Sequence, residues 1–281
     1  MNARDRGSVR DPAVSGMFYP SDPDTLAADI RSMLDAVDPV EVPGEPVAFI
    51  VPHAGIVYSG PVAAYSYRHL APGSFPRAVL VGSSHRYRIK SVSLYPEGTW
   101  SIPTGEFPVD TEFVRELRSR LSDEPEGPRP HFEEHCLEVQ LPFLVETIGC
   151  VPIVPMLVGT LLLGFCRRLG SALADTIREG HPAVLLASTD LSHYHNQQQA
   201  EVLDRAAIDA MLSLSTESLC REVSTGTCEL CGPAAVATVM SAATELGANR
   251  ATLLRYATSG DVTGDFNQVV GYTAIAFSRE D

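Results

Sequence analysis

The chain has 281 residues, of which 44% are hydrophobic and 20% charged, a composition typical of a globular protein with a sizeable core. Its formal net charge of −14 argues against nucleic acid and against an anionic membrane surface as partners, because either would need a basic face. Residues 1–20 contain no apolar signal segment, and prolines and glycines interrupt the longest apolar run, 151–165. We therefore expect a cytoplasmic protein without a membrane span, whose six cysteines are reduced.

Short β-rich apolar runs alternate along the chain with helical patterns, which predicts an α/β fold with a mostly parallel central sheet flanked by helices. The predicted strands cover residues 47–51, 78–81, 91–95, 151–157, 183–187, 252–257 and 269–277. The predicted helices cover residues 24–37, 61–70, 111–121, 138–147, 164–178, 197–214 and 232–246. No repeat or linker divides the sequence, and the proline-rich stretch 124–130 is predicted as a surface loop, so we expect one domain over residues 1–281.

Histidines follow three of the predicted strands within a few residues. His53 comes after the first strand, His85 after the second, and Asp190 and His193 after the strand ending at residue 187. Ligands of open α/β sheets bind in the crevice outside the carboxyl ends of the strands. Each of these histidines alone is most simply a loop residue, but three at equivalent positions predict a common site that binds a divalent metal.

Cys231 precedes the predicted helix 232–246, where helix N–H groups and the helix dipole favour a thiolate, which is a nucleophile and a soft metal ligand. The spacing to Cys228 also allows a redox dithiol or half a zinc knuckle. No second Cys-x-x-Cys completes a knuckle, and the pair does not follow the first strand of a βαβ unit as in thioredoxins. The remaining cysteines, Cys136 included, are interpreted as small buried hydrophobic residues.

Residues 133–142 are the other concentration of polar side chains. Glu134, Glu138 and Gln140 fit a solvated helix start, where acidic residues suit the helix dipole. Alternatively, His135 and Glu138 share a helical face and form a second shell, or part of the pocket, that orients a metal-bound histidine.

Six motifs in this order resemble the Memo family, whose bacterial and archaeal branch is known as AmmeMemoRadiSam system protein B. They are Met-Phe-Tyr-Pro at 17–20, Pro-His-Ala-Gly at 52–55, Gly-Ser-Ser-His at 82–85, Glu-His-Cys-Leu-Glu-Val-Gln-Leu-Pro-Phe at 134–143, Ser-Thr-Asp-Leu-Ser-His-Tyr at 188–194 and Cys-Gly-Pro at 231–233. The resemblance covers nearly the whole chain. It implies a fold like that of class III extradiol dioxygenases, which hold non-haem iron(II) with two histidines and a glutamate.

On that template His53 and His85 match the metal-binding histidines, and Cys231 stands where the dioxygenases have glutamate. His193 matches the histidine expected to act as acid and base, with Asp190 lining the same pocket. The resemblance favours iron(II) as the cofactor. The change from carboxylate to thiolate also admits copper or zinc, because a thiolate is a softer and oxidisable ligand.

Three functions follow as hypotheses. The first is a metal-dependent oxidoreductase, with iron or copper, that acts on a small molecule. The second is a non-catalytic adaptor that binds a peptide or protein in the same cleft, with radical SAM and AMMECR-type proteins as the partners that the resemblance suggests. The third is a zinc hydrolase, which needs three protein ligands and an open fourth position.

Overall fold

A computed structural model describes residues 9–38 and 40–280, which form eleven strands and nine α-helices. Two predictions therefore extend partly beyond the described residues: the absence of a signal segment in residues 1–20 and the single domain over residues 1–281. The strands are β1 (Val9–Arg10), β2 (Glu45–Val51), β3 (Ala78–Gly82), β4 (Val92–Leu94), β5 (Thr99–Ile102), β6 (Gly105–Pro108), β7 (Ile153–Val158), β8 (Val184–Ser188), β9 (His193–His195), β10 (Arg250–Thr258) and β11 (Val269–Arg279). The helices are α1 (Pro23–Asp35), α2 (Ile56–Tyr67), α3 (Thr111–Arg120), α4 (Leu141–Thr147), α5 (Leu163–Arg178), α6 (Gln197–Leu212), α7 (Thr216–Ser224), α8 (Pro233–Glu245) and α9 (Gly260–Thr263).

The main sheet has the strand order β10-β11-β2-β8-β3-β7-β4, with β9 added to β11. Its four central strands, β2, β8, β3 and β7, pair in parallel, since the connections between them contain helices that return the chain to the same end of the sheet. The outer strands β10, β11 and β4 pair antiparallel. The predicted α/β architecture is confirmed, and the sheet is mixed because the short connection between β10 and β11 allows only a hairpin.

Helices cover the sheet and close one contiguous hydrophobic core. The alanine-rich helix α8 packs on β2, β3 and β8 and is buried along most of its length. Its small side chains let α5 approach closely, since a Cβ at Gly170 of α5 would lie only 2.6 Å from that of Ser241. Helix α2 packs against β2, β10 and β11. Within the part of the chain that the structure describes, no helix is long and apolar enough to cross a membrane.

Several predicted boundaries are wrong. Helix α2 begins at Ile56, five residues before the predicted start, and contains Pro61 in its second turn instead of opening on it. The predicted helix 197–214 ends at Leu212, because Leu214 adopts a positive φ of 53° and Ser215 caps a separate helix, α7. The strands of the β5–β6 hairpin, which pairs with β1 in a small second sheet, were not predicted. The segment around residue 105 contains glycine and proline, which are poor strand formers.

Candidate metal centre

The carboxyl ends of β2, β8 and β3 meet at one edge of the sheet, because these strands are parallel neighbours. His53 follows β2 and His85 follows β3, and the centroids of their imidazole rings are 5.1 Å apart. Asp190, two residues beyond β8, accepts a 2.7 Å hydrogen bond on Oδ1 from the backbone N–H of His53. The structure thus brings together the residues that follow these three strands.

The His53 imidazole is buried and held in one orientation by Ser188 at the end of β8. Its Nδ1 lies 2.9 Å from Ser188 Oγ, which donates to the carbonyl oxygen of Cys136 at 2.7 Å and accepts from Gln140 Nε2 at 3.0 Å. Because the hydroxyl proton is already committed, we assign the imidazole proton to Nδ1. Burial, together with the charge of His85, lowers the pKa of His53 to about 3. Its Nε2 lone pair faces the Cys231 thiol at 3.1 Å and becomes available to a metal once that thiol is deprotonated.

Glu134 holds the His85 imidazole in the same way. Its Oε1 lies 2.9 Å from His85 Nδ1, and its Oε2 accepts the backbone N–H of His85 at 2.7 Å. The backbone N–H groups of His135 and Cys136 also donate to Oε1. Burial raises the pKa of Glu134, but the hydrogen bonds and charge of His85 outweigh it, and the pKa falls to about 2. The ionised carboxylate fixes a proton on Nδ1, so the lone pair of His85 Nε2 is available to a metal ion.

Cys231 lies beside His53, with Sγ 3.1 Å from His53 Nε2. The backbone N–H of Asp190 donates to the same sulfur at 3.1 Å. The prediction that the N-terminus of helix α8 stabilises a thiolate at Cys231 is wrong. Helix α8 begins only at Pro233, and burial, reinforced by the negative charge of Asp190, raises the pKa of the thiol well above its ordinary value.

Two groups of side chains offer ligand atoms that all lie within 4.8 Å of one another. They are His53, His85 and His135, and His85, Glu134 and Cys136. Among the described residues, neither group includes Cys231. The predicted ligand pair of His53 and His85 is thus close enough to share an ion, and the structure offers His135 as well as Cys231 for a third position.

Comparison with known proteins assigns the chain to a family. The family described as Memo-like protein matches residues 10–276. This chain belongs to the Memo family. A MEMO1 family protein of Ignicoccus hospitalis is 38% identical over 96% of this chain and 98% of its own length. Similar relatives in Methanopyrus kandleri and Desulfurococcus amylolyticus are 36% and 35% identical, each over at least 95% of both chains.

The Memo motif 134–143 contains the two residues predicted for the second shell or the pocket. His135 was predicted to orient a metal-bound histidine or to form part of the pocket, and its ring centroid lies 4.6 Å from that of His85 and 5.4 Å from that of His53, inside the cluster itself. Glu138 was predicted to orient a metal-bound histidine or to form part of the pocket, but none of its described hydrogen bonds is to a histidine of the cluster. Both of its oxygens face away from the cluster, towards Arg10, Tyr19 and two backbone N–H groups. The segment is not helical before residue 138, so His135 and Glu138 share no helix face.

His193, the predicted acid and base, is the first residue of β9, and Asp190, predicted to line the same pocket, lies on the loop between β8 and β9. Burial raises the pKa of Asp190 to about 6, against the lowering effects of the His53 backbone hydrogen bond and the charge of His193. His193 Nδ1 lies 2.8 Å from the carbonyl oxygen of Leu191, an acceptor only, so the ring proton is on Nδ1. The Asp190 carboxyl group is thus bonded to the backbone of His53, and His193 lies close enough for its charge to lower the pKa of His53.

The sequence did not identify the three side chains that orient the two histidines: Glu134, Gln140 and Ser188. Glu134 and Gln140 were interpreted as a solvated helix start, but both are buried. The one signal in the sequence was the high density of polar residues within a segment that otherwise reads as apolar and helical. Cys136, Cys166 and Cys220 are buried as predicted, but the prediction is wrong for Cys150, which is exposed. All six cysteines, Cys228 among them, are free thiols.

The Glu134→Gln variant is expected to bind metal about 10–100-fold more weakly, the usual cost of removing an outer-shell partner. A neutral amide can accept from only one of the two His85 donors and does not hold the imidazole tautomer by charge. The affinity is measured by titration of Fe(II) or Zn(II) against a competing chelator. Glu133→Gln is the matched control, since Glu133 is the exposed neighbour and should leave affinity unchanged. Equal affinities for both variants would show that Glu134 does not tune the site.

Proposed function

We propose that this Memo family protein is a metal-dependent oxidoreductase that acts on a small molecule, with iron(II) as the favoured metal. One observation carries the proposal: two neighbouring histidines each have the ring proton held on Nδ1, His53 by a buried contact with Ser188 and His85 by a partly buried contact with Glu134, so that both keep an Nε2 lone pair for a metal. Histidines that serve only to fill a core have no need of two dedicated orienting partners. Ligating histidines almost always donate their second N–H to such a partner.

The donor set fits the proposed cofactor. Imidazole nitrogen suits iron, copper and zinc, and a thiolate adds affinity for softer ions. His53 and His85 would hold the metal with Cys231, whose sulfur is already 3.1 Å from His53 Nε2. A bound iron(II) or copper ion would supply redox chemistry and a Lewis-acidic position for the substrate.

Asp190 and His193 would handle the protons. An efficient general acid or base has a pKa near the working pH, and burial places the pKa of Asp190 at about 6. Asp190 Oδ1 also holds the backbone of His53, which couples the carboxyl group to the ligand position. His193 Nε2 is free to take a proton from a substrate hydroxyl or to return one, because its Nδ1–H is committed to Leu191.

The test is anaerobic purification with iron(II), followed by oxygen uptake with a panel of catechols and with cell extracts. Turnover that requires iron and oxygen supports the proposal. Activity with zinc that is indifferent to oxygen would instead favour the zinc hydrolase. A complete absence of turnover despite full iron loading contradicts the oxidoreductase proposal and leaves the adaptor role, with the radical SAM and AMMECR-type partners that the resemblance suggests, as the hypothesis to pursue by pull-down.

For any substrate that is turned over, His193→Gln is expected to lower the rate by about 10²–10⁴-fold, the range of general acid–base catalysis. The variant should keep full metal content, because His193 is not among the ligands proposed here. Steady-state rates and metal analysis of the same preparation test both statements. His195→Gln is the matched control on the same strand: its Nε2 pairs with Glu229 at the surface, and its rate should be near that of the parent protein.

A further inference from the structure

A cleft of about 330 Å³ has Cys231 in its wall. It is lined by the loop that follows β3, by the end of β7 with the residues after it, and by the segment from Cys231 to the start of α8. This volume lies at the lower end of the range for small-molecule sites, about 300–1,000 Å³. A molecule in the cleft would contact Cys231, one of the residues proposed to hold the metal.

The loop beside the cleft is strongly basic in a chain whose net charge is −14. Arg86, Arg88 and Lys90 place three cations within five residues. Among the described residues, no carboxylate lies within ion-pair distance of these three side chains, whereas Arg118 on α3 is paired with Glu124. Arg88 is the member of the three that lines the cleft. A local positive potential of this kind attracts anions that the rest of the surface repels.

The remaining lining combines apolar and hydroxyl groups. Leu161 provides aliphatic surface beside the nearly buried Ile89 and Val158, and the lining residues that carry hydroxyl groups are Ser83, Ser84 and Tyr87. The cleft therefore complements a molecule with a short aliphatic body and one charged group. An arginine guanidinium is the side chain best suited to that group, because its planar fork matches carboxylate and phosphate oxygens.

The loop that carries Arg88 is fixed in place. The backbone N–H of Tyr87 donates to Ser84 Oγ at 3.0 Å, and that of Lys90 donates to Glu126 Oε1 at 2.6 Å. Gly159 packs so closely on the loop that a Cβ there would lie 2.1 Å from the carbonyl oxygen of Ile89. A preorganised loop reduces the entropy cost of ligand binding.

We propose that the cleft binds a small organic anion, with its carboxylate or phosphate group on Arg88 and its aliphatic body directed towards Cys231, and that such anions are the substrate class of this protein. The statement on substrate class rests on the proposed oxidoreductase function. The statement on binding rests on the cleft, its charge and its lining, and it is tested separately.

The experiment measures binding by isothermal titration calorimetry, with metal-free and iron(II)-loaded protein under anaerobic conditions. The probes are butyrate, n-butyl phosphate and the neutral butyramide, which share one aliphatic body. We expect at least one anion to bind, butyramide not to bind, and Arg88→Gln to weaken binding about tenfold or more. Arg88→Lys should restore only part of the affinity, since it keeps the charge and loses the fork. Arg68→Gln removes an exposed arginine elsewhere and should change nothing.

Any one of three results overturns the anion site. They are butyramide binding as tightly as the anions, unchanged anion affinity in Arg88→Gln, and no anion binding up to about 10 mM. The relative affinities of butyrate and butyl phosphate identify which charged group the cleft prefers. If the parent protein binds no metal but still binds an anion through Arg88, the oxidoreductase proposal fails while the anion site stands. If metal and oxygen-dependent turnover are present without Arg88-dependent binding, the function stands and this inference fails.

Discussion

Replacing His53 by alanine is expected to abolish stoichiometric metal binding. His53 contributes a buried imidazole whose Nε2 is within 3.1 Å of Cys231 Sγ, and its ring lies 5.1 Å from that of His85. The loss should exceed the factor of about 10–100 typical of outer-shell changes, because a direct ligand is removed. Metal content after anaerobic reconstitution with iron(II) and desalting measures the effect.

The third ligand is decided by a matched pair of variants. We expect Cys231→Ala to abolish stoichiometric binding as well, since it removes the sulfur ligand. Burial keeps this thiol neutral, and metal coordination would deprotonate it. His135→Ala removes the imidazole that joins His53 and His85 in the structure. If His135 is the third donor, its loss will remove the metal and that of Cys231 will not. His195→Ala, outside the cluster, is the control, and retention of metal by both His53→Ala and Cys231→Ala would overturn the site assignment.

The central strands and the placement of the histidines were predictable because both depend on local sequence patterns. The apolar runs of β2, β3 and β8 end within one residue of their predicted ends at 51, 81 and 187. Once the strands are parallel neighbours, the residues that follow them must meet. The antiparallel pairing of β11 with β2 was not foreseen, because it joins segments more than 200 residues apart and no turn between them signals it.

The orientation of the histidines could not be predicted, because it depends on contacts between distant segments. Ser188 is 135 residues from His53, and Glu134 is 49 from His85. In the sequence these are an ordinary serine at a strand end and one of several glutamates in an acidic stretch. The same limit applies to Cys231. Its position near a helix start is a local feature, but its high pKa arises from burial, which is a tertiary one.

Glu138→Ala is expected to reduce the free energy of unfolding by about 3–5 kcal/mol, the usual cost of removing one partner from a buried ion pair. Arg10 Nη1 and Glu138 Oε2 are 2.6 Å apart, and the two side chains are 1% and 0% exposed. Glu138 also accepts hydrogen bonds from Tyr19 Oη and from the backbone N–H groups of Ala13 and Val14. Its removal leaves a buried guanidinium and three donors without their acceptor.

Urea or guanidinium unfolding, followed by circular dichroism, measures the change. The control is Asp209→Ala, which breaks the exposed pair with Arg205 on α6 and should cost no more than about 0.5 kcal/mol. A loss for Glu138→Ala as small as that of the control would show that water or other groups replace the carboxylate. Arg10→Met combined with Glu138→Leu should recover part of the loss, since no unpaired charge then remains buried.

The same ion pair connects stability to the metal centre. Arg10 Nη2 donates to the carbonyl oxygen of Glu134 at 2.7 Å, and the Glu134 carboxylate fixes the His85 imidazole. The Arg10 guanidinium also stacks on Trp100, 4.0 Å from the ring centroid, which anchors it on the side of the small sheet. Glu138→Ala should therefore weaken metal binding in addition to stability, even under conditions where the variant is fully folded. If the folded variant binds metal as tightly as the parent protein, the backbone of Glu134 keeps its position even after Arg10 has lost the Glu138 carboxylate.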